Sequence, residues 1–150
     1  NLNDYYEKLR DICLKEKPDV VVLAAAVSDY IVESYSDKKV KSSEDMTIKL
    51  VHAKKIISEI KTWLPNTCLV GFKMLVNATR QELKEASMKS IQNNGCDLVV
   101  ANDYAQLISG NHEVTIYASN GYYQEGNKEN NAKLLISAIE MTTLIEKKLT

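Results

Sequence analysis

Apolar positions along the chain change period several times, and each change marks a predicted element. From Leu2 to Lys17 they fall at Leu2, Tyr5, Tyr6, Leu9, Ile12 and Cys13, close to a helical repeat. Asp4 and Glu7 stand early and Lys15 and Lys17 late, as the helix dipole favours, and Pro18 ends the pattern. Val20–Leu23 is a continuous aliphatic run, which predicts a strand buried on both faces as in a parallel sheet. Ala24, Ala25 and Ala26 then remove side-chain bulk where that strand ends, and Asp29 is the first charge beyond it. The carboxyl ends of strands in open α/β sheets are where ligands bind, so small residues there admit a ligand to the backbone. The plainer reading is that the alanines admit a crossing helix and Asp29 caps or turns the chain. Helix, turn and strand together predict the latter part of a β-α-β crossover whose first strand is not in this sequence.

Ile31–Asp45 is polar and aperiodic and predicts a loop. Met46–Val51 alternates like a half-buried strand, and Lys54–Trp63 resumes helical spacing through Ile56, Ile57, Ile60 and Trp63 until Pro65. Cys68–Phe72 predicts a second buried strand. Ala78–Asn94 reads as an amphipathic helix stopped by Gly95, and Asp97–Ala101 as a third buried strand running into Asn102-Asp103. Glu113–Ala118 and Tyr122–Gln124 flank Asn120-Gly121, a strong hairpin signal, and Asn131–Leu149 predicts a closing helix. Strands alternating with helices in this way predict a single α/β domain over 1–150. The expected form is a three-layer Rossmann-like sandwich, with a mainly parallel sheet and an antiparallel hairpin near the C-terminus.

Composition narrows the class. Hydrophobic content of 45% and charged content of 26% are those of a soluble globular protein, and a net charge of −1 argues against nucleic-acid binding. No apolar run reaches the ~20 residues of a membrane span, and no signal-peptide pattern opens the chain. Cys13, Cys68 and Cys96 are odd in number and widely spaced, which predicts reduced thiols and a cytoplasmic setting. His52 and His112 have no partner at metal-ligand spacing, so no metal residue is predicted and both are assigned to strand or loop surfaces.

Candidate chemistry gathers at three predicted strand ends: Ala24–Asp29, Gly71-Phe72 and Asn102-Asp103. In a parallel sheet these share one rim, a place for a nucleotide. No glycine-rich phosphate loop is present, so Lys38, Lys39 and Lys41 are the available cations, unless that run is only a solvated surface. Phe72 either lies against a base or packs in the core, and Asn102-Asp103 either forms an Asx turn or contacts a ligand. Trp63 and the isoleucine stripe are assigned to the core. Covalent nucleophile chemistry has no local support.

Read together and in order, A-A-A-V-S-D-Y (Ala24–Tyr30), K-V-K (Lys39–Lys41), T-I-K-L-V (Thr47–Val51), L-V-G-F (Leu69–Phe72) and D-L-V-V-A-N-D (Asp97–Asp103) resemble phosphopantothenoylcysteine synthetase of coenzyme A biosynthesis. The likeness runs from about Val20 onward and is nearer the stand-alone bacterial type. It implies a ligase joining 4′-phosphopantothenate to cysteine through an acyl-nucleotide, with CTP (ATP as the alternative) and Mg²⁺, in a cytoplasmic homodimer. Carried over by position, Leu23, Ala24 and Ala25 would wall the nucleotide, and Ala26 would lie beside the acyl group. Asp29 and the segment Lys54, Lys55, Ile56 and Ile57 would contact the nucleotide, Phe72 would hold the base through its main chain, and Lys39 would be the catalytic lysine. The family's N-terminal glycine-rich strand-loop and asparagine-bearing flap do not appear in the sequence. The resemblance therefore leaves an alternative, a non-catalytic nucleotide-binding or dimerisation fragment. A dinucleotide-dependent oxidoreductase would need the missing glycine fingerprint.

Overall fold

In a computed structural model, which describes residues 1–34 and 46–149, the first helical pattern forms α1 (Leu2–Glu16). Asn1 caps it through a reciprocal capping box with Asp4, and Lys17 ends it in the left-handed conformation (φ 46°). Seven strands follow: β1 (Val20–Leu23), β2 (Tyr30–Val32), β3 (Leu50–His52), β4 (Cys68–Leu75), β5 (Leu98–Asp103), β6 (Val114–Ala118) and β7 (Tyr123–Gly126). The remaining helices are α2 (Ile60–Trp63), entered through a 3-10 turn at Ile56–Glu59, then α3 (Arg80–Asn94), α4 (Tyr104–Ile108) and α5 (Asn131–Leu149). Thr79 and Glu82 form a second capping box at α3, and Gly95 ends that helix with φ 67°.

The main sheet has the order β1-β4-β5-β6-β7. Its β1-β4 and β4-β5 pairs are parallel, while β5-β6 and β6-β7 are antiparallel and carry the C-terminal hairpin around Gly121 (φ 85°). Strand alternation sends Leu69, Val99, Ala101 and Tyr117 to one face, where α1, α2 and α3 cover them with Cys13, Ile60, Leu64, Leu83 and Ile91. Cys68, Val70, Leu98, Val100, Ile116 and Ala118 point to the other face, against Ala138, Leu134, Leu135 and Ile139 of α5. The architecture is a three-layer Rossmann-like α/β sandwich, as the alternating pattern predicts.

Several expectations change. Among the described residues β1 is an edge strand, and Val22 is 44% exposed instead of buried, because α5 lies beneath β4, β6 and β7 and leaves the second face of β1 open. Tyr30–Val32, read as the end of a motif and the start of a loop, is a strand paired antiparallel with Leu50–His52 in a separate two-stranded arm. The aperiodicity that hid it has a physical source. All three of its side chains are exposed, so no buried face imposes alternation. The strand predicted over Met46–Val51 shrinks to Leu50–His52, and the one predicted over Cys68–Phe72 lengthens to Cys68–Leu75. The short helix α4 had no helical periodicity to announce it. It starts because the Asp103 carboxylate accepts the Ala105 and Gln106 N–H groups (2.9 and 3.3 Å).

Candidate functional site

The last residue pair of β1 and β4 is Leu23 with Gly71. Beyond it β1 leaves the sheet, while β4 continues alongside β5 as far as Leu75. The diverging chains open a crevice at the carboxyl end of the parallel strands. Past Leu23 the chain runs without regular structure to the β2-β3 arm. Ser28 fixes that approach, its hydroxyl donating to the Tyr30 carbonyl (2.7 Å) and accepting the Tyr30 N–H (3.3 Å). The arm closes where the Ala53 N–H donates to the Asp29 carbonyl (2.9 Å), so the two ends of the excursion are clamped together. Lys54–Ile57 then returns over the rim.

Gly71 lets it return closely. A Cβ at that position would stand 3.0 Å from Ile57 Cδ1 and 3.1 Å from the Cys96 sulfur. A glycine suits this close approach, since any Cβ would push Ile57 Cδ1 and the Cys96 sulfur back by a few tenths of an ångström. The turn is held locally as well, the Ser58 hydroxyl donating to the Lys55 carbonyl (2.7 Å).

These elements enclose a cavity of about 470 Å³, lined by Leu23, Ala25, Asp29, Lys54, Lys55, Ile56, Ile57 and Phe72, together with Tyr5, Val27, Ser28, Tyr30, His52 and Ala53. Small-molecule sites commonly span roughly 300–1,000 Å³. Of the residues singled out, Leu23, Ala25, Asp29, Lys54–Ile57 and Phe72 meet in one space of suitable size, although they come from three separate segments. Ala24 and Ala26 are exposed and do not line it. Lys39, with Lys38 and Lys41, lies outside the described residues. Phe72 is 43% exposed at the cavity wall, so its core reading gives way.

The lysines differ in what they face. The Lys54 ammonium is 3.3 Å from the Tyr6 hydroxyl and 3.2 Å from a Glu59 carboxylate oxygen, and it stands 4.7 Å over the centre of the Tyr6 ring. The Tyr6 hydrogen bond first, and then Glu59, hold its pKa above the ordinary lysine value. Lys55 has no carboxylate partner among the described residues. Asp29 is the cavity's carboxylate.

Two aromatic residues escaped the sequence reading. Tyr30 and His52 are cross-strand partners in the arm, their ring centres 4.8 Å apart, and both face the cavity. His52 is exposed on a strand, as the sequence predicts, and the pairing of β2 with β3 brings it to the cavity wall. Tyr5 looked like one more apolar position of α1. Asn102-Asp103 resolves toward the turn reading. Asp103 is 3% exposed, and its carboxylate accepts the Ala78 N–H (2.8 Å) as well as the two α4 amides. The Ala78 bond first, then those from Gln106 and Ala105, hold its pKa below the usual carboxylate range against the opposing effect of burial. A smaller hollow of about 230 Å³ beside it holds an ion pair, Arg80 meeting Glu125 at 3.0 Å.

Among the described residues no group of three or more His, Cys, Asp or Glu side chains could hold a metal ion. No helix among the described residues is long and apolar enough to cross a membrane.

Fold and crevice define a three-layer α/β domain with a cavity at the carboxyl ends of its parallel strands. The chain belongs to the DNA/pantothenate metabolism flavoprotein C-terminal domain family, whose profile matches residues 5–142. It is 43% identical over 101 residues to the coenzyme A biosynthesis bifunctional protein CoaBC of Thermococcus kodakarensis, covering 67% of this chain and 25% of that protein. The CoaBC of Bacillus subtilis is 30% identical over 112 residues, covering 71% of this chain and 27% of the relative. The chain therefore spans about a quarter of the length of these curated relatives. The crystal structure of the DNA/pantothenate metabolism flavoprotein from Streptococcus pneumoniae superposes with a TM-score of 0.74 at 25% identity, covering 99% of this chain and 69% of that one. A Cab2 H337A mutant in complex with phosphopantothenate-cysteine shares the fold, with a TM-score of 0.77 at 16% identity, covering 100% of this chain and 53% of the other.

Proposed function

We propose that this chain is the nucleotide-binding part of a ligase that joins 4′-phosphopantothenate to cysteine in coenzyme A biosynthesis. The observation that carries the reading is the convergence of Leu23, Ala25, Asp29, Lys54–Ile57 and Phe72 on one rim cavity. Family membership and the complex of Cab2 with phosphopantothenate-cysteine support the choice of substrates. In the first step a carboxylate oxygen of 4′-phosphopantothenate attacks the α-phosphorus of CTP. The bond from that phosphorus to the bridging oxygen breaks, and pyrophosphate leaves with Mg²⁺. In the second step the cysteine amine attacks the acyl carbon, the carbon–oxygen bond to the phosphate breaks, and CMP departs as the amine loses its proton. Negative charge develops on phosphate and then acyl oxygens, so a lysine beside those oxygens stabilises the transition state more than the ground state. Lys39 is assigned that role on the resemblance of its motif.

Pyrophosphate release tests this reading, measured with Mg²⁺, 4′-phosphopantothenate and either CTP or ATP. Release that requires the pantothenate acid and falls at least a hundredfold in Lys39→Gln, on the order of one lost electrostatic group at a reacting phosphate, is the expected result. Full activity in that variant would overturn the assignment.

A second reading has its own observation. The β2-β3 arm exposes Tyr30, Ile31, Val32 and Leu50, with Met46 and Ile48 beside it, and an isolated two-stranded ribbon is marginal in water. Docking of a second copy there would make the chain a homodimer. A dimer that binds nucleotide but releases no pyrophosphate would favour the non-catalytic reading.

A further inference from the structure

The second step of the ligation needs the cysteine amine as a free base, yet an α-amino group largely keeps its extra proton near neutral pH. Among the described residues, the rim cavity holds one side chain suited to take that proton, an imidazole. We propose that His52 is the proton acceptor for the amine that attacks the acyl-nucleotide. The proposal rests on the ligase reading above and adds the residue that activates the second substrate.

Three observations carry it. Pairing of Tyr30 with His52 at the root of the β2-β3 arm sets the imidazole on the wall of the cavity that Leu23, Asp29, Lys55 and Phe72 also line. The backbone is fixed there, since the Ala53 N–H donates to the Asp29 carbonyl (2.9 Å) at the very next residue. The ring centre lies 4.8 Å from that of Tyr30 at an interplanar angle of 31°, a contact that engages ring faces. Its nitrogens make no hydrogen bond with another described residue and stay open to a ligand. Chemistry then selects among the titratable groups that share the space: Tyr5 of α1, Asp29 and Tyr30 beside it, and Lys54 and Lys55 on the returning segment. A carboxylate is too weak a base to deprotonate an ammonium well, while lysine and tyrosine side chains already hold their protons near neutral pH. Imidazole both accepts and releases a proton in that range. The arm's own ion pair, Lys49 with Glu33 (2.7 Å), falls on the other face of the ribbon by strand alternation.

The plain alternative is a ring that only braces the exposed ribbon by lying against Tyr30. Bracing uses the ring face and leaves the basic nitrogens idle, whereas activation of the amine uses those nitrogens, so the two roles respond differently to the acceptor amine. In the proposed step one proton of the cysteine ammonium passes to a His52 ring nitrogen, and the freed lone pair forms the carbon–nitrogen bond. The carbon–oxygen bond to the phosphate breaks, and its electron pair leaves with CMP. The second surplus proton on the nitrogen goes to the departing phosphate, and the imidazolium returns its proton to water. No oxidant, reductant or further reactant is needed.

Acyl transfer to two different amines tests the assignment. The chain is mixed with Mg²⁺, CTP and 4′-phosphopantothenate while pyrophosphate is followed; cysteine or hydroxylamine is then added and CMP is measured over a single turnover. Hydroxylamine is largely neutral near neutral pH and needs no base. His52→Gln and His52→Ala should slow transfer to cysteine by about a hundredfold relative to transfer to hydroxylamine, the lower end of what a positioned general base supplies. Raising the pH should narrow that gap as the cysteine amine loses its proton unaided, and imidazole in solution should restore part of the rate in His52→Ala. Thermal denaturation verifies that each variant is folded. Equal losses with both amines, or an unchanged rate with cysteine, overturn the role of His52 and leave the ligase reading standing. No pyrophosphate release by the folded wild type refutes the ligase reading and the proposal with it.

Discussion

Gly71→Ala probes how the site is seated. The new Cβ would stand 3.0 Å from Ile57 Cδ1, 3.1 Å from the Cys96 sulfur and 3.8 Å from Val99 Cγ2. Comfortable carbon contacts lie at about 3.5–4.0 Å, so two of the three neighbours must give way by several tenths of an ångström. Cys96 is 2% exposed and wedged in the core, so it has little room. Ile57 faces the cavity on one side and is the group that moves, carrying the 3-10 turn with it. Overpacking of this kind costs about 1–3 kcal/mol, and each kcal/mol lowers the melting temperature of a domain this size by about 2–4 °C. Urea denaturation of the single variant, of Ile57→Val and of the double variant isolates the contact. Ile57→Val removes the Cδ1 atom at a cost of about 0.5–1.5 kcal/mol by itself. The double variant should then be more stable than the sum of the two losses by at least about 0.5 kcal/mol. Additivity within a few tenths, or a Gly71→Ala variant as stable as the wild type, would refute the idea that close approach of Ile57 requires this glycine.

Two further outcomes follow from titrating groups. Asp103 has a folded pKa below its unfolded one, so its contribution to stability is complete above the ordinary aspartate value and is lost as pH falls through the folded value. Asp103→Asn should therefore flatten the acid limb of stability measured against pH, though not fully, since Glu82 is lowered by the Thr79 amide and hydroxyl in the same way. An unchanged slope would remove Asp103 from that account. Burial first, and Asp97 second, push the Cys96 thiol up to about 11, and burial raises Cys13. No disulfide joins the cysteines and all three are buried, so a thiol reagent at about pH 7 should modify none of them quickly in the native chain and all three after denaturation. Rapid labelling of Cys96 in the folded protein would contradict its placement.

Much of this architecture was legible along the chain because burial writes itself as periodicity. The α1, α3 and α5 helices and the strands β1, β4, β5 and β6 each bury a face or a run, and each carries the matching pattern of apolar residues. The chemistry at the ends of β1 and β4 could be placed on one rim for the same reason, since parallel strands align their carboxyl ends. Elements without a buried face left no such trace. The β2 strand is exposed along its length, so Tyr30 and His52 could not be paired from sequence, and that part of the cavity wall stayed hidden. The roles of neighbouring lysines were equally unreadable. Lys54 and Lys55 differ only in what folding sets beside them: a tyrosine of α1 and a glutamate one turn away for the first, Lys73 of β4 and Lys89 of α3 for the second. Sequence by itself determines which segments must hide from water; the close approach allowed by Gly71 and the company each charge keeps arise only when distant segments pack, because contact distance and electrostatic neighbourhood are properties of the packed chain.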